Sequence, residues 1–362
     1  MKVGILTIGW WTKDNYGALL QGFALQRTLQ KLGCSVELIR YRCGYGSIAL
    51  NFKRFIKRLL WGAPPFLHNR KFDVFRKKNM SFSKCEYRTE RDIPQNYDAI
   101  ICGSDQVWSN VLKMNGVVSK NWMLDFASES CKRISYAASF GKSSCNEPAL
   151  NFIRPLLAKF HRVGVREYSG KIICGQAGRN DAQVVCDPTL LLSKEEYLDL
   201  VKDKVKYKTN TSFALCYLVG WKADIPFKEI KNVVQNNKLR FIHSHVVGHY
   251  YKGLNDEPLS IYEWLGAYSE AKYIFSNSFH GTVFAIIMHR PFICFPLEGV
   301  SASMNDRVKT LLCECGLENR LYNKDKSLED QLNSPIDWND VDARLSCMKN
   351  KAINFLTEAL FG

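Results

Sequence analysis

The sequence lacks the features that mark membrane-spanning, secreted or dinucleotide-binding chains. No segment approaches the ~18 consecutive apolar residues of a transmembrane helix. The apolar start, residues 2–9, is interrupted by Gly4, Thr7 and Gly9 and precedes no small-residue cleavage site, so it predicts a buried strand rather than a secretion signal. The segment after this strand lacks the G-x-G-x-x-G spacing, which gives no support to a dinucleotide site.

Cysteine and histidine occur in no strong metal-binding pattern. The 13 cysteines are scattered, and the one close pair, Cys313 and Cys315, has no second pair at finger spacing. His243 and His245 would share one face of a strand, with His249 nearby, yet no carboxylate or cysteine accompanies them. We therefore expect no metal ion, and reduced thiols in the cytoplasm.

The composition is that of a globular protein larger than one ordinary domain. With 362 residues, of which 46% are hydrophobic and 23% charged, we expect two domains. Acidic residues are the scarcer charges: 35 Asp and Glu against 50 Lys and Arg give a formal net charge of +15.

Much of this positive charge lies in residues 51–78, which hold nine Lys and Arg against a single acid, Asp73. Within this basic segment, residues 51–60 predict an amphipathic helix with its basic residues opposite an apolar stripe. Two interpretations remain open: the helix lies on an anionic membrane surface, or it packs its stripe on the protein. Aromatic residues do not alternate with the basic ones as in a stacking platform, so we expect no nucleic acid partner.

Short apolar strands alternate with helical stretches along the chain, which is the pattern of parallel α/β sheets. Strands are predicted at 2–9, 34–40, 97–103, 132–139, 161–165, 182–186, 212–219, 239–243, 271–276 and 291–295. Helices are predicted at 16–32, 51–60, 146–159, 193–203, 226–236, 259–269, 279–288, 304–315 and 337–360.

From this order we predict two Rossmann-like parallel-sheet domains that face a cleft. The predicted parts are an N-terminal α/β domain on the acceptor side (1–192), a charged connection (193–210), a C-terminal α/β domain on the donor side (211–335), and a C-terminal helix that packs back on the first domain (336–362). Ligands of such folds bind at the carboxyl ends of the strands. Polar motifs directly after strands are therefore the candidate site residues.

One such motif is residues 273–289, which predict a strand, a short polar turn and an apolar helix. The helix N-terminus offers free backbone N–H groups and the positive end of the helix dipole to a phosphate or carboxylate. Asn277 and Ser278 lie in the turn, and His280 can transfer a proton near neutral pH. The alternative is that the serines only cap the helix and that His280 is structural.

Two further turns follow strands of the first domain. Asn15 can cap the helix after the first strand, and Gly17 lets a ligand or another backbone approach closely. After the strand at 97–103, Ser104 belongs to a sharp turn, and Asp105 would point over the sheet edge, where its carboxylate can bind a sugar hydroxyl or orient a base. In both turns the alternative is a helix start without a ligand.

Arginines are the candidates for binding an anion. Arg166 ends a predicted strand and can contact a phosphate or carboxylate with two nitrogens, unless it pairs with Glu167 or another surface acid. Arg307 opens a later helix and can also face the cleft. Asp187, after the last strand of the first domain, is interpreted as a hinge position rather than as part of the chemistry.

Taken together, these segments resemble the polysaccharide pyruvyltransferase family. The resemblance depends on six blocks in one order: Asn15–Gln21, Tyr97–Trp108, Val165–Glu167, Val185–Leu192, Ser278–Gly281, and Arg307 with Gly316–Arg320. The blocks extend over nearly the whole chain and are specific as a series, whereas each alone gives weak support. Some family members carry arginine two positions before the histidine, where this chain has Ser278.

The resemblance implies a fold similar to the two-domain GT-B glycosyltransferases. It also implies an enzyme that moves the enolpyruvyl unit of phosphoenolpyruvate onto a sugar, usually as a cyclic pyruvate ketal, without a cofactor. The acceptor would be a cell-surface glycan or its polyprenyl-linked precursor. By the same resemblance, His280 matches the family's histidine and Arg166 the arginine of its Val-Arg-Glu block. With Ser278 in place of arginine, Arg166, Arg307 or Lys142 would neutralise the donor's phosphate.

The expected chemistry suits these residues. Addition of a hydroxyl to C2 of an enol ether needs a proton at C3, and His280 is the candidate acid. Arginines and helix N–H groups would hold the carboxylate and the departing phosphate, while Asp105 and Asn15 would face the sugar. We expect a cytoplasmic enzyme, with the basic segment as a candidate contact with the inner face of the membrane. The alternatives are a nucleotide-sugar glycosyltransferase of the same architecture and a non-catalytic protein that binds anionic glycan or lipid.

Overall fold

The computed structural model describes residues 1–10, 15–42, 65–109, 120–202, 211–219, 224–245 and 259–362. The predicted helix at 51–60 and the first half of the basic segment lie outside the described residues, as does His249.

The first sheet has six parallel strands in the order β2-β1-β3-β4-β5-β6. They are β1 (Lys2–Leu6), β2 (Ser35–Leu38), β3 (Ala99–Cys102), β4 (Lys132–Ala138), β5 (Arg162–Val165) and β6 (Gln183–Val184). The helices of this part are α1 (Tyr16–Lys31), α2 (Pro65–Asn79), α3 (Glu147–Leu157) and α4 (Tyr168–Gln176). Ile101 enters one core cluster and its neighbour Ile100 another, so β3 is buried on both faces, which explains its continuous apolar sequence.

The second sheet has four parallel strands in the order β10-β9-β7-β8. They are β7 (Phe213–Leu218), β8 (Arg240–His245), β9 (Tyr273–Ser276) and β10 (Phe292–Cys294). The helices of this half are α5 (Lys194–Val201), α6 (Phe227–Asn236), α7 (Ile261–Glu270), α8 (Phe279–Ile287), α9 (Asn305–Cys315) and α10 (Leu328–Asn333). Short 3₁₀ helices include Pro188–Leu191 and Gly299–Met304.

The last helix, α11 (Trp338–Phe361), lies against the first sheet. Lys132 Nζ, on β4, donates to the carbonyl oxygen of Leu360 at 2.9 Å. The Phe355 ring packs on Gly164 of β5 so closely that a Cβ on this glycine would lie 2.9 Å from the ring. The chain therefore returns to its first sheet after completing the second.

An aromatic contact joins the start of α1 to the second sheet's helices. The Tyr16 ring stacks on Trp264 of α7, with centroids 5.0 Å apart and planes 11° apart. The Tyr16 hydroxyl donates to the Leu259 carbonyl at 2.8 Å. Because this fixes the N-terminus of α1 against the second half of the molecule, Gly17, the next residue, meets the start of α8.

The predicted strands are confirmed, each within a few residues of its expected ends. Three helices were not predicted: α2, α4 and α10. Helix α4 contains Gly170 and Gly175, which weaken its helical signal, while α10 has six residues, too few to show a period. Helix α2 begins at Pro65 and carries charges along much of its length, which obscures its apolar positions.

Among the helices of the described ranges, none combines the length and the apolar character that crossing a bilayer requires.

Candidate active site

Arg166, directly after β5, is the buried cation of the site. Its guanidinium donates through Nη1 to Asp187 Oδ2 at 2.9 Å and through Nη2 to Asp105 Oδ1 at 3.2 Å. The Arg166 side chain is 1% exposed. The predicted strand-end arginine is therefore correct in position, but its partners are two acids distant in sequence, and the alternative of a surface ion pair with Glu167 is wrong.

Asp187 accepts hydrogen bonds through both of its carboxylate oxygens. Its Oδ1 accepts from the backbone N and the hydroxyl of Thr189, at 3.0 and 2.7 Å, and its Oδ2 also accepts from Ser104 Oγ at 2.8 Å. Burial alone would raise the pKa of this carboxyl, but nearby His280 and Arg166 hold it well below its usual range. Asp187 is thus an ionised residue at the centre of the site. The interpretation of Asp187 as a hinge position did not predict these contacts.

Asp105 follows β3 in a left-handed backbone conformation with φ 71°. Its carboxylate is 11% exposed. Burial would raise the pKa of Asp105, but the charges of Arg166, His280 and Arg307 lower it. The turn is fixed by Gln21 of α1, whose Oε1 accepts from Ser104 N at 3.1 Å. Asp105 and Ser104 therefore lie at the sheet edge where the sequence predicts them, and Gln21 is an unpredicted support.

His280 enters this cluster from the second domain, in the first turn of α8. Its Nε2 lies 3.6 Å from Asp187 Oδ2, and the residue is 7% exposed. On the other side the ring rests on Gly17, where a Cβ would come within 2.1 Å of His280 Nδ1. The two halves of the chain thus bring His280, Gly17 and Asp187 together, although no local pattern links these residues.

The polar turn before α8 has the predicted strand-turn-helix form. Ser278 is the N-cap of α8, and its Oγ accepts from Gly281 N at 3.3 Å. The Asn277 amide bonds both the N and the O of Val219, at 2.6 and 2.8 Å. Asn15 likewise caps α1, accepting from Ala18 N at 3.0 Å. These side chains hold the backbone in place, and substrate binding by Asn15, Asn277 and Ser278 stays a prediction.

A cavity of about 260 Å³ opens at the carboxyl ends of β5 and β6, closed by α4, α9 and α11. Four cationic side chains line it: Arg166, Lys171, Arg307 and Lys351. Asp187 and Phe279 form part of its wall, and the Arg166 guanidinium lies 4.4 Å from the Phe279 ring centroid. His280 is not among the described residues that line it, but it contacts the same Asp187 carboxylate.

Arg307, another cation of the cavity, forms no salt bridge with a carboxylate in the described ranges. Its Nε donates to the Met304 carbonyl at 3.2 Å, and with the Gln106 amide turned so that its oxygen faces the guanidinium, both Nη atoms donate to Gln106 at 3.0 and 3.2 Å. Burial, and then the charge of Arg166, lower the Arg307 pKa to about 10, so the guanidinium stays protonated at neutral pH. Its charge is therefore available to an anion.

Glu167 is a buried acid beside these arginines that the sequence suggested only as an ion-pair partner. Its Oε1 accepts from Ser139 Oγ at 2.8 Å and from Phe140 N at 3.1 Å. Its Oε2 has no hydrogen-bond partner among the residues that the structure describes. Burial raises the pKa of this carboxyl, which favours its neutral form.

A family model described as polysaccharide pyruvyl transferase matches residues 15–298. No curated protein matches the sequence. The solved UDP-GlcNAc 2-epimerase from Methanocaldococcus jannaschii has a TM-score of 0.54 at 13% identity, covering 99% of this chain and 100% of that chain. Its complex with UDP-GlcNAc and UDP gives a TM-score of 0.54 at 14% identity over the same shares.

The structural likeness, at such low identity, shows the fold alone: two parallel-sheet α/β domains in a GT-B-like arrangement. The family match includes Gly17, Asp105, Arg166 and His280 and ends before Arg307. Because this match extends over most of the chain, the protein belongs to the polysaccharide pyruvyl transferase family.

Proposed function

We propose that the protein transfers the enolpyruvyl unit of phosphoenolpyruvate to a sugar, forming a pyruvate ketal and releasing phosphate. The observation that carries this proposal is the cation-lined cavity whose wall includes Asp187, the carboxylate that His280 approaches from the other domain. The family supplies the class of reaction, and the cavity offers a place for a small donor with two anionic groups.

Size and charge favour this donor over a nucleotide sugar. A cavity of about 260 Å³ is smaller than the ~300–1,000 Å³ that drug-sized ligands occupy. Phosphoenolpyruvate carries a phosphate and a carboxylate, and Arg307 offers a charge that no described carboxylate neutralises. Lys171 and Lys351 at the same cavity add further positive charge. We assign the donor's anionic groups to Arg307 and Arg166, with no cofactor and no metal ion.

His280 is the proposed acid. Its imidazolium gives a proton to C3 of the donor while the oxygen of one acceptor hydroxyl bonds to C2, and the proton of that hydroxyl returns to the imidazole. The oxygen of a second hydroxyl then displaces phosphate from C2, and its proton leaves with the phosphate. This sequence requires C3 of the donor to lie beside the His280 ring, which approaches the Asp187 carboxylate in the cavity wall.

The acceptor in this proposal is a sugar of a cell-surface polysaccharide or of its polyprenyl-linked precursor. Asn15 and Asp105, on the first domain, would face it, whereas Gly17 and Ser104, also predicted to bind substrate, are buried against His280 and Asp187. Such a precursor is found at the cytoplasmic face of the membrane, so we propose a cytoplasmic protein that works at this surface. The basic segment 51–78 is the proposed membrane contact. One of its described residues, Lys71, pairs with Glu263 at 3.0 Å.

Ligand-dependent thermal stability separates this proposal from the nucleotide-sugar glycosyltransferase. Phosphoenolpyruvate should raise the melting temperature of the wild-type protein, and UDP-sugars should leave it unchanged. Arg307→Met should lose most of the stabilisation by phosphoenolpyruvate, which controls for unspecific anion binding. Stabilisation by UDP-sugars alone would reject the proposal in favour of the glycosyltransferase.

A further inference from the structure

Side chains from both domains surround the Asp187 carboxylate. Its carboxylate is bound by three first-domain side chains, Ser104, Arg166 and Thr189. The His280 imidazole of the second domain approaches the same carboxylate, with Nε2 3.6 Å from Oδ2. Since the three first-domain donors fix the carboxylate in place, its position is set before His280 or any ligand binds.

The two nitrogens of His280 have different surroundings. Nε2 faces Asp187, is buried, and has no hydrogen-bond partner within the described ranges. Nδ1 lies close to the Gly17 backbone, where only a residue without a side chain leaves room for the ring, and unlike Nε2 it is not among the described atoms that are both buried and unpartnered. A buried ring nitrogen beside a carboxylate and without another partner is an unsatisfied donor, and a small movement of the ring would satisfy it.

We propose that Asp187 is the positioning residue of His280: it accepts the Nε2 proton, fixes the tautomer and orientation of the ring, and leaves Nδ1 to exchange the proton with the substrate. This inference deepens the proposed function and rests on it for the identity of the substrate. The 3.6 Å between Nε2 and Oδ2 becomes a hydrogen-bond distance after a small movement of the ring, and catalytic hydrogen bonds often shorten when the substrate binds.

The charge state of Asp187 supports this role. Its pKa is held well below its usual range, although burial would raise it, because His280 and Arg166 lie beside it. Asp187 therefore stays ionised, and it can accept a hydrogen bond from Nε2 without becoming protonated. Asp105, Arg166 and Arg307 are the other charged groups around His280 and Asp187, and none of them is described in contact with His280 Nε2.

Nitrogen-15 NMR of the histidine-labelled full chain tests this directly. At a pH where the ring is neutral, the ¹⁵N shifts tell which nitrogen carries the proton, and His280→Gln identifies the signal. We expect one tautomer in the wild type, with the proton on Nε2, and a mixture of both in Asp187→Asn. Thr189→Val, which removes only the 2.7 Å bond to Oδ1, should keep the wild-type tautomer.

Two results would overturn the proposal: a wild-type ring protonated on Nδ1, or equal tautomer populations in the wild type and a folded Asp187→Asn. The first result is measured on the wild-type protein, so it would overturn the proposal even if Asp187→Asn failed to fold. In turnover, Asp187→Asn should lose about a thousandfold or more, and Thr189→Val less than about tenfold. Absence of pyruvyl transfer by the wild type would reject the proposed function, while the tautomer still decides the role of Asp187.

Discussion

The His280 imidazole lies directly on the backbone of Gly17, across the boundary between the two domains. A Cβ on Gly17 would come within 2.1 Å of Nδ1 and 2.2 Å of Cγ, so no side chain fits there. Asp187 lies on another side of the ring, 3.6 Å from Nε2. A glycine and a carboxylate of the first domain therefore set the position of a histidine from the second.

Gly17→Ala should lower activity without unfolding the protein. Alanine favours the helix by about 0.5–1 kcal/mol over glycine, but its methyl group would displace His280, and a 1 Å displacement of a catalytic group costs about a hundredfold in rate. Gly22→Ala is the matched control in the same helix, because its Cβ would meet the flexible end of Leu38 at 3.1 Å. Turnover and melting temperature measure both variants; a Gly17→Ala enzyme within a few-fold of wild type would contradict this account.

His280→Gln should reduce turnover by at least about a hundredfold, because it removes the group that gives the proton to the donor. His289→Gln is the control of the same residue type near the same helix. His289 pairs with Asp342 at 2.9 Å and stacks on Trp338, and it does not line the cavity at the ends of β5 and β6. Initial rates of phosphate release measure both variants. If the two lose activity equally, His280 is not the acid.

Substitution of the two arginines should affect different properties, chiefly stability for Arg166 and chiefly donor binding for Arg307. Arg166→Met leaves Asp105 and Asp187 buried without their cation, so we expect a loss of about 3–5 kcal/mol in the free energy of unfolding. Arg307→Met should change stability much less, since Arg307 is partly exposed and pairs with no described acid, but it should weaken phosphoenolpyruvate binding by roughly 10–150-fold. Denaturant unfolding and calorimetry make the comparison, and an equal loss of stability in both would refute it.

Stability should fall in acid through Asp187 and Asp105. Their pKa values are lowered in the folded protein, so their contribution is present above the unfolded carboxyl pKa of ~3.9 and is lost as pH falls below it. Glu167 acts in the opposite direction, since burial raises its pKa and its stabilising effect is lost as pH rises. Asp187→Asn should therefore show a smaller loss of unfolding free energy between pH 7 and 3 than the wild type. An identical loss would show that Asp187 keeps an ordinary pKa.

Local patterns predicted the elements and several side chains of the site, but not their partners. The strand before His280 and the Ser278 cap follow from periodicity and capping within a few residues. Arg166 was correctly placed at a strand end for the same reason. The bond between Ser104 and Asp187 joins residues 83 positions apart, and no spacing rule reveals it.

The same limit explains why Asp187 was interpreted as a hinge. An aspartate before proline at the end of a strand is a common turn signal. Its buried contacts arise only when the fold brings Arg166 and His280 next to it. Glu167 and Gln21 were missed similarly, because their burial comes from neighbouring elements rather than from the residues beside them in sequence.

The most direct measurement of the central claim is transfer itself, in D₂O. The wild-type protein is incubated with phosphoenolpyruvate and galactose-, mannose- and glucose-terminated lipid oligosaccharides, followed by mass spectrometry and phosphate assay, with His280→Gln alongside. The account predicts a product that gains one pyruvate with loss of water, one phosphate per product, and a deuterium in the new methyl group. No product from phosphoenolpyruvate, with sugar transfer from UDP-sugars to the same acceptors, would contradict it.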